Sequence, residues 1–191
     1  TVQAKSDTAT YDGNEHSVSG FETLEFTVGG NLYKVEGLSA SASGTDAGEY
    51  ASIVTGTAVV KDAQGDDVTG KFTVMTEDGK LVIGKRAVTL TSADDSKEYD
   101  GTPLTNDEVT VSGDGWADGE GAAYDVTGSQ TAVGSSKNAF TYELNAGTKA
   151  ENYSITKTEG TLTVTDDEVD YTVTVQAKSD TATYDGNEHS V

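Results

Sequence analysis

The sequence has no cysteine, one proline, one methionine and one tryptophan in 191 residues. Without cysteine there is no disulfide, no thiolate nucleophile and no thiolate metal ligand. That absence fits a cytosolic protein and fits equally well a surface protein of a Gram-positive-type bacterium. Positive charge is scarce too: 12 Lys and Arg stand against 33 Asp and Glu, a formal charge of −21. Such a surface repels nucleic acid and anionic membranes. No run of eighteen apolar residues occurs, so nothing here is expected to insert in a bilayer. Neither end has the basic start and apolar stretch of a signal peptide, so any leader or wall anchor is expected outside these residues.

What is present reads as β-structure. High charge with 34% hydrophobic residues resembles a disordered composition. The apolar residues, however, are Val, Ile, Leu, Tyr and Phe in alternating runs, a strand signature. No long segment carries an apolar stripe at helical spacing. The 22 glycines punctuate the runs, often in Asp-Gly pairs: Asp12-Gly13, Asp78-Gly79, Asp100-Gly101, Asp114-Gly115 and Asp118-Gly119. Such pairs favour tight turns between strands. The predicted fold class is all-β, as an immunoglobulin-like sandwich or a β-grasp-like arrangement with one short helix. Glu36 to Ala42 and Asn106 to Val111 are the segments considered for that helix, and both are too short and polar to decide between the two folds.

The chain also repeats itself. The eighteen residues TVQAKSDTATYDGNEHSV occur at Thr1–Val18 and again at Thr174–Val191, an offset of 173 residues. The simplest explanation is one full period of a longer array followed by the start of the next. Inside the period lies a degenerate repeat with three landmarks in the same order. Tyr11-Asp12-Gly13 matches Tyr99-Asp100-Gly101, an offset of 88. Ala47-Gly48 matches Val133-Gly134, an offset of 86, and Phe72–Ile83 matches Tyr153–Val164, an offset of 81. Two domains follow, residues 1–86 and 87–173, with 174–191 opening the next repeat. The third landmark places Phe72, Val74, Leu81 and Ile83 at even spacing around Glu77-Asp78-Gly79, and Tyr153, Ile155, Leu162 and Val164 likewise around Thr158-Glu159-Gly160. That pattern predicts a hairpin with one buried face. Both junctions, Gly84-Lys85-Arg86 and Asp166–Asp170, are short, which predicts an elongated rod.

No catalytic, cofactor or metal site is predicted. The Tyr-Asp-Gly segments read as turns, with the glycine supplying positive φ, the aspartate bonding to the turn and the tyrosine plugging the core with its hydroxyl at the edge. His16 and His189 occupy one repeat position, beside Glu15 and Glu188, as exposed loop residues. No nucleophile, base and orienting acid form a defensible set. Two acidic stretches have calcium-like composition: Asp62, Asp66 and Asp67, and Asp114, Asp118 and Glu120. Neither has the ligand spacing of a calcium loop, and both read as hydrophilic turns. Trp116 is expected in the second domain's core. Lys149, Glu151 and Asn152 contain the ingredients of a lysine–asparagine crosslink beside an acid, without a motif behind them.

The Tyr-Asp-Gly turn, the later Ala/Val-Gly stretch and the closing Asn152-Tyr153-Ser154-Ile155 with Gly160-Thr161-Leu162-Thr163-Val164 resemble the YDG and MBG repeats of bacterial surface proteins. The second half matches best, through Tyr99-Asp100-Gly101-Thr102-Pro103-Leu104-Thr105. The first half departs from the pattern, with Lys71-Phe72 in place of Asn-Tyr. The resemblance implies a tandem module of a secreted, cell-wall-attached adhesin and carries over no ligand residue. The expectation is a stalk or spacer that projects a distal binding head, monomeric on its own, whose partners are its neighbouring repeats. The alternative is a repeat-borne binding module that engages host glycan or protein through avidity, with Trp116 and Tyr124 near its pocket.

Overall fold

A computed structural model describes residues 1–191. The first domain contains β1 (Val2–Gln3), β2 (Asp7–Thr10), β3 (His16–Ser19), β4 (Glu25–Val28), β5 (Asn31–Ser39), β6 (Ser41–Gly44), β7 (Gly48–Ser52), β8 (Thr55–Asp62), β9 (Thr76–Glu77) and β10 (Gly79–Gly84). The second contains β11 (Arg86–Ser92), β12 (Asp95–Glu98), β13 (Val109–Gly113), β14 (Ala122–Val126), β15 (Gly134–Lys137), β16 (Phe140–Leu144), β17 (Tyr153–Thr158) and β18 (Thr161–Thr165). Two single 3-10 turns, Thr69–Lys71 and Ala150–Asn152, are the only helical pieces. The fold is all-β, as the alternation predicts.

Neither of these two segments is helical. Glu36–Ser39 lies in β5, Ser41 and Ala42 in β6, and Val109–Val111 in β13. Their Val, Leu and Ser content suits a pleated surface better than a helix. Ladders close within residues 2–84 and within 86–165, and none joins the two sets. Only Lys85 separates β10 from β11. Residues 166–191 form no strand.

The predicted hairpin does not form. In the second domain β17 pairs in parallel with β11, from Arg86↔Tyr153 to Thr91↔Thr158. β18 pairs in parallel with β12, from Asp95↔Leu162 to Glu98↔Thr165. The first domain repeats the scheme, with β1 alongside β9 and β2 alongside β10. β11 and β17 thus leave one sheet together and continue as β12 and β18 in another, turning a corner of the kind that joins packed sheets. Neither Gly79 nor Gly160 has positive φ, so neither serves a tight turn. Each sits where the neighbouring chain passes closest. A Cβ on Gly160 would overlap the carbonyl oxygens of Ser92 and Ala93, and one on Gly79 those of Ala4 and Lys5.

Buried polar groups pin the corner of the second domain. Ser92 Oγ donates to the Asn138 carbonyl at 2.6 Å and accepts from the Gly160 amide at 3.0 Å. Asn138 Nδ2 donates to the carbonyls of Ala93 and Asn106 at 3.0 and 2.9 Å. Both side chains are fully buried, so each made bond spares a desolvated polar group. Along β10 and β11 the alternation sends Leu81, Ile83, Val88 and Leu90 inward. These four join Tyr11, Val18, Ala117, Phe140 and Tyr153 in one buried cluster that draws on both domains.

Candidate functional site at the junction of the two domains

The first Tyr-Asp-Gly segment builds the junction. The Tyr11 amide donates to the Gly84 carbonyl at 2.9 Å, which fixes the tyrosine beside the end of β10. Gly13 then adopts φ 84°, and Asp12 Oδ1 accepts from the Asn14 amide and contacts His16 Nε2, both at 2.9 Å. Those contacts, the Asn14 amide first, hold the Asp12 carboxyl below the usual carboxylate range. His16 therefore starts a strand and partners Asp12, rather than sitting in a loop beside Glu15.

The Tyr11 side chain belongs to the shared buried cluster and reaches from it into the second domain. Its ring meets Tyr153 edge to face, centroids 5.5 Å apart, and Trp116 packs on Tyr153 from 4.9 Å. The Tyr11 hydroxyl donates to Glu120 Oε1, and the Tyr153 hydroxyl donates to Glu120 Oε2 at 2.7 Å. Ala117 N–H completes the cluster by donating to the Tyr153 hydroxyl at 3.1 Å. Burial, then the Glu120 hydrogen bond, pushes the Tyr11 phenol up to about 12. Burial raises Tyr153 as well, with the Ala117 amide opposing. A carboxylate clasped by two phenols is a structural bridge; neither phenol ionises near neutrality.

Two further ties flank the tyrosines. Arg86, the only arginine, donates Nε to the Gly115 carbonyl at 2.8 Å, Nη2 to that of Asp114 at 2.6 Å and Nη1 to that of Tyr11 at 3.4 Å. On the other flank, Asp46 of the first domain accepts from Lys149 Nζ at 2.7 Å and from Asn152 Nδ2 at 2.8 Å. Asn152 Oδ1 in turn accepts from the Ala47 amide at 2.8 Å, and Asn152 is fully buried. Lys149 and then Asn152 lower the Asp46 carboxyl, while Asp46 raises the Lys149 ammonium. A lysine that attacks an amide must first lose its proton, so this pairing suits a salt bridge rather than a crosslink.

The acidic stretches disperse. Asp62 and Asp67 accept from their own turn, Asp62 from the Gln64 and Asp66 amides and Asp67 from Thr69. Asp114 accepts from the Ala87 amide, Glu120 serves the tyrosines, and Asp118 is exposed. No three His, Asp or Glu side chains converge on a position for a metal ion. Trp116 is half-buried at the junction, its Nε1 donating to the Tyr124 hydroxyl at 3.2 Å, instead of filling the second domain's core.

The second Tyr-Asp-Gly segment has the same backbone in a different setting. The Tyr99 amide donates to the Thr165 carbonyl at 2.9 Å, as Tyr11 does to Gly84, yet Tyr99 is 45% exposed. Sequence reasoning found Glu120, Lys149 and Asn152 as candidate chemistry but missed their common destination. Arg86 was hidden as a linker residue; its being the sole arginine was the available signal. Comparison with protein-family models, with curated proteins and with solved structures found no match to this chain.

Proposed function

We propose that the chain is a structural spacer: one period of a tandem β-domain stalk on a bacterial cell surface that carries a distal binding head. The observation that supports it is the junction. One linker residue, a shared apolar cluster and two polar ties couple the domains, which is what a stiff array needs and what independent binding modules on flexible tethers lack. The 18-residue identity between the two ends fits successive periods of near-identical sequence, whose number sets the length of the stalk. The high negative charge discourages lateral pairing of neighbouring strand edges.

Small-angle X-ray scattering on one-period and two-period chains, each with calcium and with chelator, tests this. A maximum dimension that nearly doubles with the second period and ignores chelator is the expected result. A two-period chain that stays compact overturns the spacer and directs attention to host glycan or protein binding. Lengthening only with calcium makes the acidic turns joint-stiffening metal sites.

A further inference from the structure

Oxidation has few outlets in this chain. It has no cysteine and one methionine, so the sulfur groups that ordinarily take up oxidising equivalents are nearly missing. The aromatic rings remain: one tryptophan, nine tyrosines and four phenylalanines. Of these, the indole and the phenols give up an electron most readily. A phenol does so when its hydroxyl proton has an acceptor within hydrogen-bond reach. The junction supplies an indole, two phenols and a proton acceptor in one place.

Trp116, the only tryptophan, is half-buried and so open to a small diffusible oxidant. Its ring centroid lies 4.9 Å from that of Tyr153, which lies 5.5 Å from that of Tyr11. Tyr11 and Tyr153 are only 4% and 3% exposed, so the three rings form a path from surface to core. Both phenols already donate to one carboxylate, Tyr11 to Oε1 and Tyr153 to Oε2 of Glu120. Glu120 is itself half-buried, which leaves it a route to water. Among the nine tyrosines only Tyr11 and Tyr153 bring their rings into contact. Because their hydroxyls converge on one carboxylate, the ring carbons beside those hydroxyls are brought together as well.

We propose that one-electron oxidation joins Tyr11 to Tyr153 by a carbon–carbon bond, a dityrosine crosslink across the domain junction, with Trp116 as the point of entry and Glu120 as the proton acceptor. A diffusible radical oxidant takes one electron from the Trp116 indole and is itself reduced. The oxidised indole takes an electron from Tyr153 and returns to its starting state. The Tyr153 hydroxyl proton passes to Glu120, which releases it to water. A second oxidant repeats the sequence with Tyr11, one ring further in. The two phenoxyl radicals couple at the carbons next to the oxygen-bearing ones. The hydrogens on those carbons move to the oxygens as the rings regain aromaticity. In total two electrons and two protons leave, and both hydroxyls are restored. The product is a covalent tie between the domains in a chain that has no cysteine to make one. Rings held in contact beforehand couple ahead of exposed ones such as Tyr99 and Tyr184, which meet only by collision between molecules. The crosslink lies within one period, so its failure leaves the scattering test of the stalk untouched, and a compact two-period chain leaves the crosslink untouched.

The test uses the full 191-residue chain at micromolar concentration, oxidised by azidyl radicals generated by pulse radiolysis. Indole-radical absorbance is expected to decay as phenoxyl absorbance grows, at a rate independent of protein concentration. Repeated pulses are expected to give a monomer lighter by two hydrogens, with dityrosine fluorescence and a peptide mass map that joins Tyr11 to Tyr153. Tyr11→Phe should lose that product, Tyr99→Phe should keep it, and Trp116→Phe should lower its yield several-fold. The map of the native chain decides independently of how well Tyr11→Phe folds. Absence of dityrosine, dityrosine found only between molecules, a bond mapped to another pair such as the cross-strand partners Tyr124 and Tyr142, or an undiminished yield in Trp116→Phe overturns the proposal.

Discussion

Tyr11 and Tyr99 are the same residue of the repeat in two environments, which makes them each other's control. Tyr11→Phe deletes a hydroxyl bonded to a carboxylate inside the junction and is expected to cost about 1.5–3 kcal/mol in denaturant unfolding. Tyr99→Phe, exposed and unbonded, is expected to lie within about 0.5 kcal/mol of the native chain. Equal effects would remove the junction's claim on Tyr11. The same phenols set an alkaline limit. Their folded values are raised, so the stability they contribute is complete below their ordinary value of 10.0 and is lost as pH rises toward about 12. For Tyr11 alone the loss approaches about 3 kcal/mol over that window. Phenolate absorbance and unfolding free energy followed together across it should move in step. Asp46 acts in the opposite sense: its carboxyl is lowered, so its contribution is present above 3.8 and fades as pH falls through its folded value. The turn role of Asp12 and Gly13 was legible in the sequence, because a positive-φ glycine beside an aspartate is a local matter. The seat of the tyrosine was not, since a repeat marks which positions are equivalent but not which neighbour each one meets.

At the scale of elements, the corner glycines carry the fold. Gly79→Ala and Gly160→Ala each force a methyl group into backbone carbonyls and are expected to cost about 1–3 kcal/mol or more. Gly70→Ala, with open space around it and ordinary φ, is expected to change stability by less than about 0.5 kcal/mol. Denaturant midpoints of the three variants decide it; a neutral Gly160→Ala would mean the two parallel chains do not approach as described. The even spacing of Leu81 and Ile83 gave β10 and its buried face correctly, because side-chain alternation depends only on the local pleat, whereas Phe72 and Val74 lie half-buried outside any strand. It gave the wrong pairing. A hairpin and two strands passing from sheet to sheet have the same alternation, and the choice is made by partners far away in the chain, such as Asp7 for Leu81. Nothing local marks Gly79 as a close-approach glycine rather than a turn glycine.

For the molecule as a whole, the shared cluster makes each domain a part of its neighbour's core. Domains of about 80 residues are marginal alone, so coupling through Leu81, Ile83, Val88 and Tyr153 should make them unfold together. Calorimetry of the native chain is expected to show one transition, and Tyr11→Ala combined with Asp46→Ala is expected to split it in two. Two separate transitions in the native chain would show that the junction does not couple them. The parallel pairing of the first two strands of each domain with its last two has a mechanical consequence. Tension between the chain ends enters the second domain at the start of β11 and leaves at the end of β18. Because β12 and β18 run side by side in the same direction, that tension slides one along the other. The rungs from Asp95 to Glu98 are then loaded together in shear, not peeled one at a time, and β2 against β10 is loaded the same way in the first domain. The second and last strands of each domain thus form a clamp that yields only when its whole ladder yields.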